Sequence, residues 1–343
     1  MVNKLFVVTP RGFCAGVEMA IKALTWMLKI YDGPVYCYHE IVHNDWIVEK
    51  FKKKNVIFID DTDELPKDSI VMLSAHGTAP DIEKDFKNIS LTSVNSVCPL
   101  VTKVHHEAKK FSESGKQIIY VGHKNHDEAI GALGVAPENM HLVESVDDIK
   151  NINFQDKEVA LLAQTTLAMS EWEPILDKVK EDFDNLDLPR KSDLCYATTN
   201  RQKALINISS NVDVVLVVGS STSSNTKALV TTIKNLGKEA YRIETLNDLK
   251  DINLESKDVA ITAGASAPEH IVNEISNFLK PKNFEYYIDT DEDEYFPLPK
   301  ELRANISSLS RLLTTMFPSN KIEAKNSISK DKSWSATEAL ASL

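Results

Sequence analysis

Cys14, Cys98 and Cys195 each head one version of a passage that occurs three times in this 343-residue chain. The first version reads RGFCAGVEMAIKAL, then YCYHEIVHN, then LSAHGTAP. The second reads NSVCPLVTKVHHEAKKF, IYVGHKNHDEA and LAQTTLA, and the third SDLCYATTNRQKALINI, LVVGSSTSSNTKAL and TAGASAP. A thiolate is a soft metal ligand, and three are one short of the four protein ligands that close a structural zinc site. Three can hold a 4Fe-4S cluster, whose usual complement is four, and one iron is then open to another ligand. Such an iron could act as a Lewis acid while the cluster supplies electrons. The cysteines stand 84 and 97 residues apart, so the fold has to assemble them. With no C-x-x-C pair, neither a ferredoxin nor a common radical-generating cluster is indicated. Ordinary buried thiols are the competing reading, and the repeat around each cysteine weighs against it.

Two polar markers follow each cysteine. His43, His126 and Asn225 come 29, 28 and 30 residues later, and His76, Thr165 and Ser266 come 62, 67 and 71 residues later. The third version replaces its histidine with Ser223, Ser224 and Asn225, which keeps hydrogen-bond donors and removes charge. Imidazole, hydroxyl and amide donors beside the backbone amides of a helix starting near Thr226 suit a phosphate or diphosphate. Glu128, two residues after His126, is a candidate proton donor, because removal from water and nearby phosphate oxygens both favour the protonated acid. Asp127 competes with it, and helix capping is a structural alternative for either acid. Thr165 could anchor or relay a proton to a hydroxyl at the open iron, with Thr166 as its competitor.

The elements that must position these residues are short and alternate. Leu5 to Thr9, Val35 to Tyr38, Val56 to Ile59 and Ile70 to Ser74 read as strands, as do Ile118 to Val121, Val159 to Ala163, Val214 to Val218 and Val259 to Thr262. Helical spacing of apolar residues follows each cysteine, as at Val17, Ala20, Ile21, Leu24 and Met27. Alternating strands and helices predict an α/β fold of three similar units with mostly parallel sheets. Each marker sits just past the carboxyl end of a strand, where open α/β sheets bind ligands. The expected units are 1–95, 96–193 and 194–280. A closing segment at 281–303 carries an acidic run and a strand-like Tyr295 to Leu298. A tail at 304–343 is expected to be largely disordered, with one short amphipathic helix possible through Leu309, Leu312, Leu313 and Met316.

The 39 basic and 50 acidic residues give a net charge of -11, which argues against a nucleic-acid partner. The first residues lack a secretory h-region, and no run approaches 18 uncharged apolar residues, so no membrane span is expected. Four cysteines in so long a chain form no disulfide scaffold, and Cys37 stands outside the repeat. This usage fits a reducing cytoplasm.

The segments RGFCAGV, EIVHN, SAHG, CPLVTKVH, GHKNHDE, AQTTL, NRQ, GSSTSSN and TAGASAPE, in this order, resemble the 4-hydroxy-3-methylbut-2-enyl diphosphate reductase family. The likeness extends from about Phe6 to Glu269, and YFPLPKELR looks like the family's closing segment. It implies a pseudo-threefold trefoil around a central 4Fe-4S cluster held by Cys14, Cys98 and Cys195. It implies that His43, His76, His126, Ser223, Ser224, Asn225 and Ser266 bind the diphosphate, with Glu128 as the acid and Thr165 at the substrate hydroxyl. The implied reaction is reductive dehydroxylation of a small allylic diphosphate to isopentenyl and dimethylallyl diphosphate, with electrons from a ferredoxin or flavodoxin type donor. The GTAP loop, Asp127 and Thr199 depart from the family's more frequent residues, which bears on loop stiffness and rate rather than reaction type. Two rivals stand beside this: a cluster-dependent dehydratase that takes up no electrons, and a metal-sensing or phosphate-binding protein without catalysis.

Overall fold

Runs such as VVLVV at Val214–Val218 and VALLA at Val159–Ala163 are apolar at every position, as central strands of a parallel sheet covered on both faces must be. The computed structural model describes residues 1–152, 154, 158–316 and 331–343. In chain order, β1 (Lys4–Thr9) and α1 (Ala15–Ile30) lead into β2 (Val35–Tyr38), α2 (Asp45–Lys52), β3 (Val56–Ile59), β4 (Ile70–Leu73), α3 (Pro80–Ile89) and β5 (Thr92–Asn95). Next come α4 (Pro99–Glu113), β6 (Gln117–Val121), α5 (Asp127–Leu133), β7 (Met140–Val143), α6 (Val146–Ile149), β8 (Val159–Ala163), α7 (Met169–Asp182) and β9 (Leu186–Asp187). The third passage forms α8 (Tyr196–Ile208), β10 (Val214–Val218), α9 (Ser224–Asn235), β11 (Glu239–Ile243), β12 (Asp258–Ala263), α10 (Glu269–Leu279) and β13 (Asn283–Ile288). Two helices follow, α11 (Lys300–Met316) and α12 (Ala336–Ala341). Among the described residues no helix is long and apolar enough to cross a membrane.

The chain divides into two compact units, residues 1–14 with 100–293, and residues 15–99 with 294–343. The larger holds a five-stranded sheet, β11-β10-β12-β1-β13, and a four-stranded sheet, β7-β6-β8-β9; the smaller holds the sheet β3-β2-β4-β5. All pairings in the three sheets are parallel. The shared order places the strand before each cysteine beside the third strand of the sheet built by the preceding passage. Thus β5 precedes Cys98 and pairs with β4, and β9 precedes Cys195 and pairs with β8. In the same way β1 precedes Cys14 and pairs with β12, so it joins the third sheet, where β13 adds a further edge strand.

This relocates several sequence boundaries. The first sheet is built from residues 35–95 alone, because β1 has left it. The strand of the closing segment is β13, parallel to β1, and residues 295–298 form no strand. β13 is an edge strand whose alternate residues Phe284, Tyr286 and Ile288 are exposed.

The tail expected to be disordered carries two helices among its described residues. In α11 the buried side is Leu302, Ile306 and Ser310, while Leu309, Leu312, Leu313 and Met316 face outward. α12 is fixed by a capping box between Ser335 and Glu338 and buries Ala336, Ala339 and Leu340. It lies against α1, where the Trp26 and Trp334 rings meet edge-on at 5.7 Å and the Ala336 N–H donates to Glu18 at 2.7 Å. Lys22, buried within α1, donates to the Asp331 carbonyl at 2.9 Å and pairs with its carboxylate at 3.4 Å. A sequence this polar gains its order from a few such anchors rather than from a broad apolar face. Residues 317–330 lie outside the described part.

Candidate active site

At the carboxyl end of the β6 and β8 strands, His126 caps α5 by accepting the Glu128 N–H on Nδ1 at 3.2 Å. That acceptor role places the hydrogen of a neutral ring on Nε2. Glu128, the second residue of α5, is 2% exposed. Its Oε1 accepts the Thr165 N–H at 2.7 Å and its Oε2 accepts the Thr165 hydroxyl at 3.1 Å. Burial pushes its acid up to about 7, the two Thr165 bonds pull against that rise, and the negative charge of Asp193 adds to it. Among the described residues its hydrogen-bond partners include no cation. A carboxyl held this way keeps a proton near neutral pH and has a hydroxyl beside it to pass that proton along.

Asp193 is the contrasting buried acid nearby. Its Oδ1 accepts from Lys103 Nζ at 2.9 Å and its Oδ2 from the Ala163 N–H at 3.0 Å. Burial pushes it to about 6 while Lys103 pulls it down. The pair ties α4, the helix after Cys98, to the turn before Cys195.

At the end of the β10, β12 and β1 strands the polar loop folds on itself. Ser223 caps α9 through the Thr226 N–H at 3.3 Å, and Ser224 Oγ accepts from Gln164 Nε2 at 3.2 Å. Asn225 Oδ1 accepts the Ala265 N–H at 2.9 Å, and its Nδ2 donates to Thr198 Oγ1 at 3.2 Å. Thr226 sits between two strand ends where Gly219 and Gly264 leave room, since a Cβ on either would overlap its hydroxyl. Ser266 is buried in the next turn.

Cys195 caps α8 with its own sulfur, which accepts the Thr198 N–H at 3.3 Å and lies 3.1 Å from Thr198 Oγ1. Burial and neighbouring Cys14 push its thiol up to about 11. The Cys14 and Cys195 sulfurs lie close enough for negative charge on one to oppose it on the other, a cost that a bound cation removes, and the Thr198 N–H and hydroxyl beside the Cys195 sulfur offset part of it. The residues therefore fit an iron-sulfur group. None of the four cysteines is in a disulfide, and Cys37 is wholly buried in β2, where burial pushes its thiol far above the ordinary range.

In the smaller unit the His43 and His76 rings stack 4.0 Å apart at 13°. His43 Nδ1 lies 3.5 Å from Glu40, and Asn44 beside it caps α2 through the Ile47 N–H at 3.2 Å. The Cys98 N–H donates to the Ala75 carbonyl at 3.0 Å. Equivalent bonds run from the Cys14 N–H to Ala265 and from the Cys195 N–H to Thr165. This shifts the repeat alignment by one residue. Thr165 is the counterpart of Ala75 and Ala265, and Thr166 stands where His76 and Ser266 do.

The larger unit thus brings Glu128 together with Thr165, and Asn225 with the Cys195 turn, whereas Asp127 is not the buried acid. Thr166 turns to Gln164, whose Nε2 donates to it at 3.0 Å. Three residues of this network escaped the sequence reading: Gln164, Thr198 and Arg201. Arg201, 1% exposed, donates to the carbonyls of Gly12 and Ala197 at 2.9 Å each and pairs with Glu292 at 2.9 Å. It joins the Cys14 turn to the Cys195 helix. The only hint was that AQTT, ATT and NRQ lie inside the repeated passages.

Three parallel sheets of one strand order, with reduced cysteines at the crossovers and a protonatable acid buried at a strand end, define an α/β protein built by threefold repetition. The chain belongs to the LytB protein family, whose model matches residues 5–280. It is 42% identical over 307 residues to the 4-hydroxy-3-methylbut-2-enyl diphosphate reductase of Rhodopirellula baltica, covering 88% of this chain and 96% of that protein. To the protein of the same name from Buchnera aphidicola it is 40% identical over 302 residues, 85% of this chain and 96% of the other. A solved structure of the E-1-hydroxy-2-methyl-but-2-enyl-4-diphosphate reductase from Plasmodium falciparum superposes with a TM-score of 0.87 at 35% identity, covering 90% of this chain and 99% of that one.

Proposed function

We propose that the protein reduces (E)-4-hydroxy-3-methylbut-2-enyl diphosphate to isopentenyl and dimethylallyl diphosphate. The observation that carries this is Glu128, a buried carboxyl with its acid near 7 and Thr165 bonded to both its oxygens. The net change consumes two electrons and two protons: a C–O bond breaks, the hydroxyl leaves as water, and a C–H bond forms. When held by Cys14, Cys98 and Cys195, a 4Fe-4S cluster supplies the electrons singly and an iron with an open position. Thr165 orients the substrate hydroxyl, and Glu128 delivers protons through it. His43, His76, His126 and the Ser223, Ser224, Asn225 and Ser266 turns bind the diphosphate, with the His126 Nε2–H and the amides opening α9 as donors. Electrons come from a small one-electron carrier of the ferredoxin or flavodoxin type.

Anaerobic purification, an iron and sulfide count, and turnover with a reduced one-electron donor test this reading. Product formation proportional to donor oxidation is expected, at two electrons per product. Loss of water without reductant would replace it with a dehydratase, and a fully loaded zinc protein would end it.

A further inference from the structure

Every donor and acceptor between Ala265 and the sulfur of Cys195 can be assigned. A backbone N–H only donates, so the bond from Ala265 N fixes which atom of the Asn225 amide is oxygen and turns Nδ2 toward Thr198. Nδ2 only donates, so Thr198 Oγ1 accepts there and has its own hydrogen left to give. The remaining partner is Cys195 Sγ at 3.1 Å, which as a thiolate ligand can only accept. The Thr198 N–H reaches the same sulfur at 3.3 Å. Three donors thus point one way, from Ala265 to Asn225 to Thr198 to sulfur, and aligned hydrogen bonds strengthen one another. Asn225 and Thr198 are 4% and 0% exposed, so water does not substitute for either partner. Hydrogen bonds to a ligand sulfur draw off electron density and stabilise the reduced state of the iron behind it.

We propose that Thr198 raises the reduction potential of the group bound by Cys195, and that Asn225 is the positioning residue that aims its hydroxyl. This rests on the reading of Cys195 as an iron-sulfur ligand. Asn225 would then serve the reaction before any substrate arrives, by holding a donor on the sulfur, besides its place in the turn that binds the diphosphate. Among the described residues Thr199, the adjoining hydroxyl, bonds the backbone carbonyls of Cys195 and Tyr196 and not the sulfur.

The test is an anaerobic redox titration of the cluster-loaded full chain without substrate, followed by absorbance and electron paramagnetic resonance. Thr198→Val keeps the shape and removes the hydroxyl, and should lower the reduced fraction at a fixed poise up to tenfold, about 59 mV for one electron. Thr198→Ser should restore it, and Thr199→Val should leave it unchanged. Asn225→Ala, which frees the hydroxyl to rotate, should shift the potential in the same direction by less. A potential equal to that of the unaltered protein in Thr198→Val overturns the proposal. If that variant does not load, Asn225→Ala decides: no shift overturns it. Absence of any iron-sulfur signal in the unaltered protein would instead defeat the functional reading beneath it.

Discussion

The ends of the two sheets in the larger unit use one device with different chemistry. In each, the second residue of the helix after the polar loop reaches back to a backbone N–H two residues beyond a strand end. Glu128 takes Thr165 N–H, and Asn225 takes Ala265 N–H. The remaining atom decides the outcome. In Glu128 it is a second carboxyl oxygen facing the Thr165 hydroxyl, so that end can hold and pass a proton. In Asn225 it is an amide N–H facing Thr198, so that end fixes a donor beside a sulfur. In the proposed roles, a repeated frame separates proton handling from sulfur handling by one side-chain group.

Exchanging the two groups is the strongest way to break the comparison. Glu128→Gln keeps the acceptor for Thr165 N–H and loses the proton, so turnover should fall by about 10²–10⁴ while the protein folds and loads normally; unimpaired turnover would remove Glu128 from the reaction. The pH dependence of stability sharpens the same point. The folded acid near 7 lies above its unfolded value of 4.5, so folding is favoured by bound proton. That contribution is intact below about 4.5 and is lost as pH rises through about 7, on the order of 3 kcal/mol in total. Urea midpoints taken across this window should decline in the unaltered protein, and the part due to Glu128 should vanish in Glu128→Gln. Asn225→Asp makes the opposite exchange. It removes the donor to Thr198 and buries a carboxylate near Cys195, and should cost about 1–3 kcal/mol in urea unfolding at neutral pH. Thr165→Val should cost about 1 kcal/mol and move the Glu128 transition to higher pH, since one bond that lowers its acid is gone. A transition that stays in place would show that the backbone N–H alone sets it.

Much of this was legible in the residues. Apolar runs at Val35–Tyr38, Val159–Ala163 and Val214–Val218 marked strands at their observed bounds, because central parallel strands tolerate little else. Glu128 could be singled out because it follows a histidine at a loop end. Three things could not be read. Edge strands such as β9, two residues long, carry no period. The counterpart of Thr165 is an alanine in both other passages, so only the cysteine N–H bonds reveal the register. Thr198 and Gln164 act through partners 27 and 60 residues away, a relation no local pattern encodes.

The insertion of β1 between β12 and β13 also sets an order of assembly. Two sheets form from contiguous stretches and can close while synthesis continues, but β1 has both its neighbours only when Ile288 has been made. Until then Leu5 to Val8, buried once folded, offer bare apolar faces and open backbone edges, and this ribbon is where a chaperone has most to shield on the nascent chain.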